Sequence, residues 1–270
     1  MAPPTVPLVQ LHSSSESEVQ VRPSVVPTSP PGTKPQDPIR ILLTGYGPFQ
    51  THTVNPSFEI VSGLDLSPFI GQAEIFVYPE PVRVAYRTVR SLLPRIFASH
   101  PNFDYVIHLG VAKLSTGFFK LEQGAHRDGY EKVDVDGIRG CDLEKSVEEG
   151  WEDWKEQQTH IATSIDVEEL AREVTKKVKV LITLIYKTDR ELDALLTILI
   201  LAHPAVNVDT SNDAGRYLCE YIFYSSLAHF NAHRRVLFLH VPAGLEEEDI
   251  AQGRAVLAEI IWTIIRLHHA

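Results

Sequence analysis

From Ile39 onward, short apolar runs bounded by turn formers alternate with stretches of helical spacing. That alternation predicts strands joined through helices. Ile39-Arg40-Ile41-Leu42-Leu43-Thr44-Gly45 reads as a buried first strand, running into the turn Gly45-Tyr46-Gly47-Pro48-Phe49. Asn55-Pro56-Ser57 marks a turn into a helix through about Leu64. Ala73 to Val77 is a second strand. Val82 to Ser99 carries apolar residues at Val82, Ala85, Val89, Leu92, Leu93, Ile96 and Phe97, the spacing of a helix, which Pro94 is expected to kink. Tyr105 to Gly110 is another buried strand, and strand, helix, strand in this order implies a right-handed parallel crossover.

Phe118 to Gln123 is a short apolar run in which Glu122 is the first acid. His126 through Trp154 reads as a long loop, its Trp151 and Trp154 forming either a partner patch or a local cluster. Val167 to Val178 is a helix with Glu168, Glu169 and Glu173 early and Lys176, Lys177 and Lys179 late, a distribution that favours the macrodipole. Two apolar stretches follow, Val180 to Tyr186 and Leu195 to Leu201. Charges at Lys187, Asp189, Arg190, Glu191 and Asp193 divide them, so this is no membrane span. Turn formers Ser211, Asn212 and Asp213 then give way to Leu218, Tyr221, Ile222 and Leu227, a loop feeding an amphipathic helix with Cys219 in its early turns. Arg235 to Pro242 is a buried strand with His240 near its end, and a final helix opens at Glu246 and runs through Ile265.

At 270 residues and 44% hydrophobic content, one α/β domain with appendages is expected. We place that domain at 39–270 and read 1–38, rich in Pro and Ser, as a disordered tail that cannot bury enough surface to offset its ordering entropy. A net charge of −10 offers no basic patch for a nucleic-acid backbone. The two cysteines, Cys141 and Cys219, make neither a disulfide framework nor a zinc motif, and no cofactor is implied. Met1 to Thr5 lacks the start of a signal peptide. A cytoplasmic protein with a functional free thiol is the expectation.

A thiol with an unperturbed pKa of about 8.5 needs a base or a positive field to become a good nucleophile. His240, at the carboxyl end of a strand where α/β sheets bind ligands, is the candidate base for Cys219. Both residues also have inert readings, as a small buried hydrophobe and a satisfied strand-end histidine. Gly45-x-Gly47 lacks a third glycine, and Pro48 removes an amide from any phosphate cradle, which argues against a nucleotide site. Tyr46 and Phe49 either form an apolar wall at the sheet's carboxyl edge or cap the core.

Four segments together resemble the pyroglutamyl-peptidase I family: Leu43 to Phe49 with Val54-Asn55-Pro56-Ser57; Val106 to Val111; Leu121-Glu122; and Ser211 to Cys219 with Leu239-His240-Val241-Pro242. The likeness covers most of the chain from Ile39, and Ala214-Gly215-Arg216-Tyr217-Leu218-Cys219 resembles eukaryotic members in particular. The resemblance implies a three-layer α/β/α fold with a mostly parallel twisted sheet, phosphorylase/hydrolase-like, and a cysteine exopeptidase acting on peptides with N-terminal pyroglutamate. By motif, Cys219 is the nucleophile, His240 the base and Glu122 the acid that orients the histidine. Tyr46, Phe49, Tyr217 and Leu218 line the substrate wall, and backbone groups around Gly110 and Val111 pair with the lactam. If Asp213 caps the helix, Cys219 lies past its first turn and His240 must do most of the activation.

The chain departs from the family pattern at Tyr46, whose hydroxyl needs a partner if buried, at Val111, and in the loop Lys113 to Thr116. Lys177 to Pro204 is longer than the family's usual connection, and is either an extra strand and helix on the domain edge or non-native sequence from a mis-spliced gene model. Two rivals remain: a catalytically silent binding protein on the same fold, and a thiol amidase for another small acyl group. Family members include tetramers and monomers, so a homo-oligomer stays open.

Overall fold

The computed structural model describes residues 38–49, 53–100, 102–143, 157–188, 206–230, 233 and 235–269, all within one compact unit beginning at Pro38. The expected tail, Trp151, Trp154 and most of the Lys177 to Pro204 segment lie outside the described residues. A six-stranded sheet has the order β2-β1-β3-β8-β4-β7. Its strands are β1 (Ile39–Gly45), β2 (Ala73–Val77), β3 (Tyr105–Val111), β4 (Phe118–Glu122), β7 (Asn207–Ser211) and β8 (Val236–Val241). β2, β1, β3 and β8 run parallel; β4 turns antiparallel to β8 and pairs parallel with β7, so the sheet is mostly parallel. A separate antiparallel ribbon joins β5 (Gly124–His126) to β6 (His160–Ala162).

Central strands read as continuous apolar runs because both of their faces are covered. Ile39, Ile41, Leu43, Ile107, Leu109, Leu237 and Leu239 pack beneath α1 (Pro56–Ser62), α4 (Val167–Thr188) and α6 (Glu247–His268). Leu42, Val106, Val236 and Phe238 point the other way, beneath α2 (Tyr86–Ser99) and α5 (Leu218–His229). The result is the three-layer α/β/α architecture. Each Leu or Ile so buried contributes about 1.5–3 kcal/mol. Strand parity also decides which face each polar residue meets: Gly110, with Val106, and His240, with Val236 and Phe238, face the α5 side.

That face holds a buried polar chain. His108 on β3 links Thr44 Oγ1 of β1 at 2.7 Å from Nδ1 to Ser226 Oγ of α5 at 2.8 Å from Nε2. Burial pushes its pKa down to about 3, so the ring is neutral and can donate through one nitrogen while accepting through the other. A satisfied pair of this kind ties the helix that carries Cys219 to two strands.

Three stretches differ from expectation. Val82 to Ala85 is not helical: Val82 N–H donates to Gly45 O at 2.9 Å and Val82 O accepts from Gly47 N–H at 2.8 Å, closing the turn after β1. Helix α2 starts at Tyr86 because Asp134, 48 residues away, accepts the Tyr86 N–H through Oδ2 at 2.9 Å. Ala85 offers no cap of its own, so the helix begins where a distant carboxylate supplies one. β5 ends at His126, the loop after it carries the short α3 (Gly140–Leu143), and Val180 to Thr188 prolongs α4. Among the described residues, no helix is long and apolar enough to cross a membrane.

Candidate active site

Helix α5 begins later than the turn formers suggest. Its N-cap is Tyr217, not Asp213, which makes Cys219 the second helical residue. The expectation that the thiol lies past the first turn is therefore corrected. The Cys219 side chain thus stands within the first turn of the helix. The late start has an identifiable cause. Glu220, fully buried, reaches back to accept the Arg216 N–H at 2.6 Å and the Arg216 guanidinium at 2.8 and 2.9 Å. It also accepts the backbone N–H of His126 at 2.8 Å and lies 2.8 Å from that residue's Nδ1. Arg216 is held at φ 49, the left-handed region, so the chain turns sharply just before Cys219. Tyr217 contributes no side-chain cap, and the first amides of α5 keep their donors for something else.

Three strands bring the remaining groups to this helix. His240 on β8 pairs in register with Gly110 on β3 and with Lys120 on β4. Glu122 ends β4, 1% exposed, with Oε1 2.7 Å from His240 Nδ1. This leaves Nε2 for the thiol, which hydrogen-bonds the ring. Burial by itself would depress the His240 pKa, but the charge and hydrogen bond of Cys219, then those of Glu122, outweigh it and raise the value to about 9. Gly110 makes the approach of the thiol possible. A Cβ there would lie 2.9 Å from Cys219 Sγ and 2.7 Å from Phe238 Cζ. Gly110→Ala is expected to push the sulfur away from His240 and lower kcat about tenfold or more, a misplacement effect. Kinetics beside a thermal melt would check it, a melting temperature close to wild type separating displacement from unfolding.

Beside the thiol is a small cavity of about 70 Å³ lined by Tyr46, Phe49, Asn55, Val84, Val111, Tyr217, Leu218 and Cys219. Tyr46, at 3% exposure, finds the partner its hydroxyl needs by donating to Leu218 O at 2.5 Å. Burial, and after it the nearby Cys219, pushes its pKa well above the ordinary value, so it stays a neutral donor. Strand β1 ends opposite Leu109, so Gly110 and Val111 run past its end, and Val111 lines the cavity. The structure thus brings together Glu122, Cys219, His240, Tyr46, Phe49, Gly110, Val111, Tyr217 and Leu218. Two lining residues went unassigned in the sequence. Asn55 is buried, donating from Nδ2 to Gly47 O at 2.9 Å while its Oδ1 accepts from the Ser57 N–H and hydroxyl. Val84 was absorbed into a predicted helix. The Asn55 cap signal was legible; its second job beside the cavity was not. No cluster of three His, Cys, Asp or Glu among the described residues could hold a metal ion.

A family model described as pyroglutamyl peptidase matches residues 39–117. The chain is 33% identical over 222 residues to pyroglutamyl-peptidase 1 of Homo sapiens, covering 82% of this chain and 87% of that protein. Its mouse counterpart, from Mus musculus, is 32% identical over the same shares. Among solved structures, pyroglutamyl peptidase I from Bacillus amyloliquefaciens superposes with a TM-score of 0.58 at 19% identity, over 84% of this chain and 95% of the other. A mutant pyrrolidone carboxyl peptidase from Pyrococcus furiosus gives 0.57 at 18%, over 84% and 100%. At those identities the two structures speak to the fold.

Proposed function

This chain belongs to the pyroglutamyl peptidase family, and from that premise we propose that it hydrolyses the amide bond after an N-terminal pyroglutamyl residue of peptides, as a cysteine exopeptidase. The observation that carries the mechanism is the hydrogen-bonded series Cys219, His240, Glu122 beside an apolar cavity. His240 takes the thiol proton, and the thiolate attacks the pyroglutamyl carbonyl carbon. The C–N bond breaks as His240 returns that proton to the leaving amine, leaving a thioester on Cys219. Water then attacks the thioester with His240 as base, releasing pyroglutamate and the thiol. Glu122 holds the ring through Nδ1 and stabilises the imidazolium throughout.

The oxyanion of each tetrahedral intermediate is received by the uncapped amides at the start of α5, foremost that of Cys219 itself. Pyroglutamate is a compact, uncharged lactam. Tyr46, Phe49, Tyr217 and Leu218 give it apolar walls, and the backbone of Gly110 and Val111 beyond the end of β1 pairs with its polar atoms. Because no charged side chain among the described residues lines the cavity, a free N-terminal ammonium would enter unpaired, and that discriminates against an uncyclised terminus. The intact series favours this enzyme over a silent binding protein. We place it in the cytoplasm, where reducing surroundings keep the free thiol of Cys219 available.

The test is hydrolysis of a pyroglutamyl-coumarin amide by the wild-type protein under reducing conditions, across pH. Leaving-group protonation needs the imidazolium, and the His240 pKa stands at about 9. Activity should therefore fall on an alkaline limb centred near pH 9. A profile that keeps rising past pH 10 would remove His240 as the acid; no hydrolysis by the folded protein at any pH would remove the peptidase reading itself.

A further inference from the structure

The segment between β5 and α3 is a hairpin with a fixed face. Val133 bridges Arg139 antiparallel, and between them the Asp134 N–H donates to Ile138 O at 2.8 Å. Asp134 turns inward, 6% exposed, and its Oδ1 accepts the N–H groups of Asp136 and Ile138, both at 2.9 Å, while Oδ2 caps α2. Asp134 is buried at the start of the tight turn that its own carbonyl closes with the Gly137 N–H at 3.1 Å, and its two chain neighbours are exposed. Val133 is 58% exposed and Val135 37%. Each is tied by its backbone to a wall of the cavity: Tyr217 Oη donates to Val133 O at 3.2 Å, and the Val135 N–H donates to Val84 O at 3.3 Å.

Single exposed valines need no explanation. Two of them on one pinned hairpin, each bonded to a different residue lining the cavity beside the nucleophile, are another matter. A protein partner would need about 800 Å² on this side, far more than two valines supply. A substrate needs less. When the pyroglutamyl ring fills the cavity and its carbonyl meets Cys219, the peptide must leave across the rim, and the residue that follows carries the first side chain outside. We propose that Val133 and Val135 form an apolar subsite for the side chain of the residue after pyroglutamate, so that the enzyme discriminates among peptides by that residue. The subsite rests on the peptidase reading above. Asp134 acts through the hairpin as a positioning residue, holding both valines at the rim.

The experiment compares kcat/KM for the amides of pyroglutamyl-leucine, pyroglutamyl-lysine, pyroglutamyl-aspartate and pyroglutamyl-glycine. Wild type should prefer leucine over lysine and aspartate by about tenfold. Val133→Asp should raise the lysine-to-leucine ratio about tenfold, and Val133→Lys should do the same for aspartate-to-leucine. A structural role for the hairpin would lower all four rates together and leave the ratios alone. Ratios unchanged in both variants would overturn the subsite. If the charged variants fail to fold, Val135→Thr keeps the shape and should lower the leucine-to-glycine ratio about threefold; an unchanged ratio there overturns it equally. A wild type that cleaves none of the four removes the peptidase reading, a result distinct from a wild type that cleaves all four without preference, which removes only the subsite.

Discussion

Cys219→Ser is expected to lower kcat/KM for a pyroglutamyl-coumarin amide by about 10⁴-fold or more, with the fold intact. That factor corresponds to about 5.5 kcal/mol of lost transition-state stabilisation. The hydroxyl is close in size to the thiol, and the neighbours at stake, Gly110 and His240, tolerate the smaller oxygen. What it loses is ionisation: the His240 ring and the start of α5 can stabilise a thiolate but not an alkoxide near neutral pH. A second readout separates this from simple damage. Because the charge and hydrogen bond of Cys219 are the largest influences raising His240, the serine variant should show that histidine titrating below about 9 by NMR. A variant that keeps more than about one per cent of its activity would place the nucleophile elsewhere.

Glu220→Ala should cost about 3 kcal/mol of stability, read as a lower denaturant midpoint with an unchanged slope. Glu220 is fully buried and satisfies the Arg216 and His126 backbone N–H groups while pairing the Arg216 guanidinium. Removing it strands two part-buried donors, and although the Arg216 side chain is 33% exposed and partly hydrated, its left-handed backbone loses its anchor. The helix start that carries Cys219 would loosen with it, so activity should fall further than stability alone explains. Glu220→Gln, which retains an acceptor of the same shape, should recover most of the midpoint. If alanine and glutamine behave alike and close to wild type, the carboxylate is not what sets the turn.

Much of this arrangement was legible before any coordinate. The strands around His108 and His240 were recognisable because a strand buried on both faces is apolar along most of its length, and Ala73 to Val77, at the sheet edge with Glu74 exposed, was recognisable as a short apolar run. Glu122, Cys219 and His240 were singled out through motif resemblance, and the structure places the His240 ring between the Glu122 carboxylate and the Cys219 thiol. The start of α2 was misplaced by four residues, since Val82 to Ala85 has helical spacing yet spends its backbone on the turn after β1.

Sequence alone determined which residues share a face. Gly110 and His240 sit on positions whose parity sends them toward α5, and alternation along a strand is a covalent property that needs no partner to be known. Where each helix begins was decided only by the tertiary structure. Tyr86 and Leu218 open α2 and α5 because Asp134, 48 residues from the first, and His126 with Glu220, 94 residues apart, settle the backbone groups around those starts. A helix terminus leaves donors that any acceptor in space can satisfy, near or far in the chain. Cys219 thereby gains its place in the first turn from contacts that no local pattern records.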